Sequence, residues 1–165
     1  MSFRPVAVIN WLYYSSPMSS LRSNINVKAL GLHWRDGRLL AAEVRDSHGR
    51  VVGVRPLGGT VEFGESSQTA LRREFLEELG AEIKVLSGPQ VIENIYVFEG
   101  ENGHEIMFIF EIDFVSGDYR NHETISFNES DGTSDIARWY ALDELDRPGL
   151  PGLYPKGLRA LLKGS

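Results

Sequence analysis

The chain has 165 residues, of which 42% are hydrophobic and 24% are charged, and its formal net charge is −6. This length suits one domain with a hydrophobic core, and the negative charge argues against binding to nucleic acid polymers or anionic membranes. The sequence has no cysteine, which excludes disulfides, thiol nucleophiles and thiolate zinc sites. No apolar run is long enough to span a membrane, and we expect a cytoplasmic protein.

The first half of the chain is predicted to begin with strands. We expect residues 1–24 to form an N-terminal arm or extension and residues 25–165 to form one domain. Segments 26–34 and 38–44 flank Asp36-Gly37, which is a strong signal for a two-residue hairpin turn. A further strand is predicted at 51–56, followed by a helix over 68–79 that ends at Gly80.

The second half is predicted to add a long hairpin, a late strand and a terminal helix. Segments 91–99 and 104–114 flank the turn sequence GENG. Apolar residues occupy both alternating faces of 104–114, which indicates a central strand covered on both sides. With a strand at 135–142 and a helix at 154–164, the predicted fold class is α/β (α+β), with helices packed against a mixed sheet.

The predicted helix at 68–79 concentrates acidic side chains near its C-terminus. Leu71, Phe75 and Leu79 form its core stripe, whereas three carboxylates cluster on an adjoining face, those of Glu74, Glu77 and Glu78. Like charges at this spacing cost about 0.2–0.5 kcal/mol per pair, and the helix dipole disfavours anions at this end by about 0.3–1 kcal/mol each.

A bound divalent cation would resolve this unfavourable arrangement of charge. Converging carboxylates suit a hard ion such as Mg²⁺ or Mn²⁺, and the chain has neither cysteine nor a clustered histidine pair for zinc. Alternatively, the glutamates are simply solvated on an exposed helix face. The preceding Gly58-Gly59 pair favours a metal or ligand site, because glycine allows close approach of the backbone.

The segment 59–81 resembles the Nudix box, the signature G-x5-E-x7-R-E-U-x-E-E-x-G-U of Nudix hydrolases, where U is aliphatic. All seven fixed positions match, namely Gly59, Glu65, Arg73, Glu74, Glu77, Glu78 and Gly80. Phe75 and Ala81 depart mildly at the aliphatic positions, and Leu57 separates Pro56 from the double glycine. The resemblance implies an α/β/α sandwich around a mixed sheet and covers about 27–162.

The resemblance also implies roles for individual residues. Glu74 and Glu78 match the main metal ligands, Glu77 assists them and acts in catalysis with Glu78, and Gly58 offers a backbone carbonyl. Arg73 matches a residue that anchors the glutamates for catalysis. The residues expected to support or contact substrate are Arg55, Gly59 and Glu65, with Arg120 as a second candidate for phosphate.

The sequence does not decide which residue acts as the general base. It is either a box glutamate or an acid on a later loop, where Glu123 ranks ahead of Glu129, and His104 and Glu105 are weaker candidates. Trp34, Trp139 and Tyr140 either stack on a base or, as is usual for aromatic residues in strands, belong to the core.

The function implied by the resemblance is divalent-metal-dependent cleavage of a nucleoside diphosphate linked to another moiety. Candidate substrates are nucleoside triphosphates, nucleotide sugars and dinucleoside polyphosphates, with Mg²⁺ or Mn²⁺ as cofactor. The alternative is a non-catalytic nucleotide sensor on the same fold. Pyrophosphohydrolysis of RNA 5′ ends is disfavoured because the chain has no basic cluster for a strand, and a homodimer stays open.

Overall fold

The computed structural model describes residues 24–115, 119–128 and 134–164. The predicted N-terminal arm lies outside the described residues except for its last position. Glu129 and the side chain of Arg120 also lie outside them.

A mixed β-sheet organises the described part of the chain. Its strand order is β5-β6-β1-β4-β3-β8-β7, with β2 paired to β3 and β9 paired to β4. The pairs β1–β6 and β4–β9 are parallel, and the others are antiparallel. The strands are β1 (Asn26–Leu32), β2 (Trp34–Arg35), β3 (Arg38–Arg45), β4 (Val51–Thr60), β5 (Ile83–Phe98), β6 (Glu101–Phe114), β7 (Thr124–Asn128), β8 (Ser134–Ala141) and β9 (Gly152–Leu153).

Two α-helices pack against this sheet, α1 (Ser67–Leu79) and α2 (Leu158–Lys163). The core cluster under α1 includes Leu71 and Phe75 together with Phe110 of β6. A second cluster contains Leu158 of α2 and Ile109 of β6. Strand β6 therefore contributes to both clusters, which confirms its predicted burial on both faces and the sandwich arrangement. No helix in the described ranges is long and apolar enough to cross a membrane.

Both predicted hairpin turns exist, but each differs from its prediction. The second turn has only two residues, Glu99 and Gly100, and the first has a short strand on one side. Asp36 and Gly37 have φ of 51° and 75°, and Glu99 and Gly100 have φ of 50° and 86°. Two successive positive φ values match the twist of a two-residue hairpin turn. The turn at Asp36-Gly37 joins β3 only to the short β2, because β1 pairs instead with β4 and β6.

Several predicted boundaries were wrong, and strand β7 lies in a segment that was expected to be a loop. Strand β5 begins at Ile83 rather than near residue 91. The Gly58-Gly59 pair, expected in a loop, lies at the end of β4, where it pairs with β1. The terminal helix begins at Leu158 rather than near Pro155, because Gly157 adopts φ 96° and cannot continue a right-handed helix. The polar loop begins only after Thr60.

Helix α1 begins one residue before its predicted start and ends at Gly80 as predicted. The Ser66 side chain accepts a hydrogen bond from the backbone N–H of Thr69, and Gly80 ends the helix in the left-handed conformation with φ 65°. Phe75 is buried in the core, whereas the adjacent Leu76 is 54% exposed. Packing of one stripe therefore holds the acidic helix against the sheet.

Phe75→Ala should lower the free energy of unfolding by about 3–5 kcal/mol, because it leaves a cavity under α1. Leu76→Ala, one residue along the same helix, should change it by less than about 0.5 kcal/mol. Urea unfolding of both variants measures the difference. Equal effects would show that α1 is not held by this stripe.

Candidate active site

Arg73 connects α1 to the loop that precedes it. Its Nη2 donates to Glu65 Oε1 at 2.7 Å and to the backbone carbonyl of Thr60 at 3.0 Å. Its Nη1 donates to Glu74 Oε1 at 3.1 Å and to Glu77 Oε2 at 3.0 Å. One guanidinium therefore fixes two helix carboxylates relative to the end of β4.

The loop side of this network is rigid as well. Glu65 Oε1 also accepts a hydrogen bond from the backbone N–H of Glu62 at 2.9 Å. The contact with Arg73, followed by that backbone bond, lowers the pKa of Glu65. The contact with Glu65 is the largest cause that raises the pKa of Arg73, with a further contribution from Glu77. Both groups are therefore charged throughout the neutral range.

The box residues surround a cavity of about 180 Å³, which we call the acidic cavity. Residues from β1, β4, the following loop and α1 share its wall. The lining residues are Lys28, Arg55, Gly58, Gly59, Thr60, Glu62, Arg73, Glu74, Glu77 and Glu78. The structure thus brings together all the residues predicted for the metal, as well as Arg55, Gly59 and Arg73.

Gly59 makes room for the carboxylate of Glu74. A Cβ atom on Gly59 would lie 2.1 Å from Glu74 Cδ, which is far inside van der Waals contact. Glu74 is itself buried, with 7% of its surface exposed. The second glycine of the pair therefore allows the Glu74 carboxylate to lie directly against the backbone of β4.

Gly58 is required for a different reason. Its φ of 133° is a conformation that other residues rarely adopt, and a Cβ atom there would lie 2.1 Å from the carbonyl oxygen of Ala29. The backbone of β4 turns at this point while still paired with β1. Glycine at both positions lets the strand end beside the helix that bears the carboxylates.

Sequence reasoning did not identify Lys28, Thr60 and Glu62 as parts of this site. Lys28 pairs with Thr60 across β1 and β4, and its Nζ donates to Thr60 Oγ1 at 3.1 Å. No motif marks Lys28, which is 30 positions before Gly58 along the chain and reaches the cavity only through strand pairing.

Glu123 lies away from the acidic cavity and does not line it. Its carboxylate forms ion pairs with Arg35 at 2.5 Å and Arg38 at 3.5 Å. The guanidinium of Arg35 lies 4.3 Å from the ring centroid of Trp139. In this structure the glutamate belongs to a charged cluster on β2 and β3.

His104 and the three aromatic candidates take structural positions. His104 Nε2 lies 3.0 Å from Glu93 Oε1 on the neighbouring strand. Trp139 is buried in the cluster under α1, and Trp34 and Tyr140 pack against the second cluster. Trp139 therefore belongs to the core, whereas Trp34 and Tyr140 are partly buried at its edge.

The oxygen-rich lining of the acidic cavity suits a hard divalent cation. Within the described ranges, no three acidic, histidine or cysteine side chains converge closely enough to hold a metal ion. Glu74 and Glu77 instead share Nη1 of Arg73. The oxygen donors of the cavity and the close approach that Gly59 allows fit a divalent ion.

Comparison with known proteins identifies the family. The NUDIX domain model matches residues 24–161, so the chain belongs to the Nudix family. This family cleaves pyrophosphate bonds and generally requires divalent metal, and the chain is a hydrolase of this class. A search of curated proteins gave no significant match.

Solved structures share the fold at low sequence identity. A MutT NUDIX hydrolase from Burkholderia pseudomallei is 23% identical, with TM-score 0.56, and the match covers 85% of this chain and 97% of that one. The E. coli ORF135 protein is 21% identical, with TM-score 0.55 and coverage of 84% and 86%. A UDP-X diphosphatase is 18% identical, with TM-score 0.54 and coverage of 87% and 64%. These likenesses confirm the predicted α+β fold.

Gly59→Ala should reduce hydrolase activity by about 10–100-fold, because the new methyl group displaces the Glu74 carboxylate. The melting temperature should change little, since a flexible side-chain end can move aside. Gly152→Ala is the matched control, because its Cβ atom meets its nearest neighbour at an ordinary 3.6 Å. Loss of activity in the control, or full activity in Gly59→Ala, would contradict this explanation.

Glu65→Gln should make the free energy of unfolding less dependent on pH in the acid range. The folded chain lowers the pKa of Glu65 below its ordinary 4.5. Its stabilising contribution is therefore complete above that value and is lost as the pH falls through the lowered pKa.

Urea unfolding at stepped pH tests this effect, with Glu101→Gln on the exposed start of β6 as control. The wild-type protein and the control should lose stability more steeply below pH 4.5 than Glu65→Gln does. Parallel curves for all three would show that the Arg73 contact does not set the pKa of Glu65.

Proposed function

We propose that the chain is a Mg²⁺-dependent pyrophosphohydrolase that cleaves a nucleoside diphosphate linked to another moiety, with Mn²⁺ able to replace Mg²⁺. The observation that carries the proposal is the acidic cavity, where the box carboxylates and three cationic side chains, those of Lys28, Arg55 and Arg73, line one space. Lys28 and Arg55 line the same cavity as the glutamates, whose negative charge a metal ion requires. A cavity lined by both positive and negative side chains suits a metal-bound diphosphate better than it suits the metal ion alone or the diphosphate alone.

A divalent metal ion bound here would neutralise phosphate oxygens and lower the pKa of the attacking water. Glu74 and Glu78 would hold it with assistance from Glu77, and Gly58 lines the same cavity. Arg73 holds Glu74 through Nη1 and so fixes its orientation before substrate arrives. Lys28 and Arg55 would bind the phosphate oxygens that face away from the carboxylates.

A box carboxylate is the better choice for the general base. Glu78 lines the acidic cavity, whereas Glu123 is engaged with two arginines outside it. A base must lie within hydrogen-bond reach of the water that it deprotonates. We therefore assign proton acceptance to the carboxylate oxygen of Glu78 that would not hold the metal, with Glu77 as its neighbour on the same helix.

Glu78→Gln should lower kcat/KM by at least about 100-fold, which corresponds to about 2.7 kcal/mol of lost transition-state stabilisation. The free energy of unfolding should remain within about 0.5 kcal/mol of wild type, because the change keeps the side-chain shape. Release of phosphate or pyrophosphate from a nucleotide panel with Mg²⁺ and Mn²⁺ measures the activity.

Glu82→Gln is the matched control, since it removes one exposed carboxylate just beyond the same helix. It should retain wild-type activity. If wild type and Glu78→Gln were equally inert on triphosphates, nucleotide sugars and dinucleoside polyphosphates, the chain would instead be a nucleotide sensor on this fold.

A further inference from the structure

A second cavity adjoins the acidic cavity and has a volume of about 240 Å³. We call it the tyrosine pocket. It is lined mainly by β5, β6 and the segment after β9, and the residues that matter here are Arg55, Asn94, Tyr96, Glu105 and Tyr154. Arg55 lines both cavities, so a ligand whose phosphates lie in one can extend into the other.

Two polar side chains in the tyrosine pocket are more than nine-tenths buried. Asn94 is 6% exposed and Glu105 is 7% exposed. They are register partners across β5 and β6, and Asn94 Nδ2 donates to Glu105 Oε2 at 3.3 Å. A buried amide beside a buried carboxylate lowers the stability of the fold unless their other polar atoms also have hydrogen-bond partners.

The carbonyl oxygen of Asn94 lacks a hydrogen-bond partner among the described residues. The amide cannot turn to exchange its two ends, because its oxygen would then face the carboxylate of Glu105. Asn94 Oδ1 therefore presents an acceptor, and the carboxylate beside it presents further acceptor sites. This pair is complementary to a ligand with two neighbouring N–H donors.

Both tyrosines are held in place by glycines. A Cβ atom on Gly103 would lie 2.2 Å from Cζ of Tyr96, and a Cβ atom on Gly53 would lie 2.1 Å from Cε2 of Tyr154. Each ring therefore lies against the bare backbone of a neighbouring strand. Tyrosine rings fixed in this way provide flat surfaces on which a planar ligand stacks.

The phenol of Tyr96 stays protonated in this pocket. Burial is the largest cause that raises its pKa, and the negative charge of Glu105 raises it further. The neutral hydroxyl also hydrogen-bonds the carboxylate of Glu105.

We propose that the tyrosine pocket binds the base of the nucleotide substrate and selects guanine, because Asn94 and Glu105 present adjacent acceptors. Guanine carries a ring N–H and an exocyclic amino group side by side on one edge. Adenine and cytosine place an acceptor nitrogen next to the amino group, and uracil has one N–H between two carbonyl groups, so each would leave a buried group unpaired. This assignment rests on the proposed function for the position of the phosphates, and Arg55 would bind them where the two cavities meet.

Equilibrium binding of nucleoside monophosphates without divalent metal tests the base assignment separately from catalysis. Calorimetric titration with GMP, AMP, CMP and UMP in EDTA should show GMP binding at least about tenfold more tightly than the others. Glu105→Gln and Asn94→Leu should each abolish this preference. Glu101→Gln, on the exposed start of the same strand, should retain it.

Thermal melting first establishes that each variant is folded. Two variants are used so that, if one does not fold, the other still tests the base assignment. Equal binding of the four monophosphates, no binding of any, or an unchanged GMP preference in both folded variants would overturn the base assignment. Hydrolysis of the corresponding triphosphates with Mg²⁺ is measured in parallel. Hydrolysis without base preference would overturn only the assignment of the pocket, whereas GMP selection without hydrolysis would support the pocket and contradict the proposed enzyme.

Discussion

The contact of Arg73 with Glu65, Glu74 and Glu77 is the interaction on which the acidic cavity depends. Carboxylates at successive turns of a helix repel one another, and the helix dipole adds to that repulsion near the C-terminus. A guanidinium with several fixed donors offsets both effects and ties the helix to the carbonyl of Thr60. The charge arrangement that is unfavourable in an isolated helix therefore becomes an ordered part of the folded chain.

The sheet supplies the second constraint. Parallel pairing of β1 with β6 and antiparallel pairing of β1 with β4 place β1 between the strands that border the two cavities. Lys28 reaches the acidic cavity from β1, and Arg55 reaches both cavities from β4. Glycines in β4 and β6 then permit side chains to lie directly on the backbone. Close approach at glycine thus shapes both the carboxylate site and the tyrosine pocket.

Local patterns predicted most of the secondary structure, because caps, turns and alternation act over a few residues. The helix end at Gly80 and the turn at Asp36-Gly37 are examples. The same patterns did not predict that Gly58-Gly59 would end a strand, since that depends on pairing with β1. The placement of Glu123 beside Arg35, from a strand 88 positions earlier, likewise depends on a long-range contact.

The sequence by itself determined the family, the acidic helix and its orientation on a core stripe, because fixed spacing places the relevant side chains within one short segment. Only the tertiary structure decided which distant residues share the cavities. Lys28, Arg55, Asn94 and Glu105 come from separate strands, and their meeting depends on sheet order and register. The alternation of apolar and polar residues along a strand predicts which face of the sheet each side chain occupies. It does not predict which strand will pair with that strand.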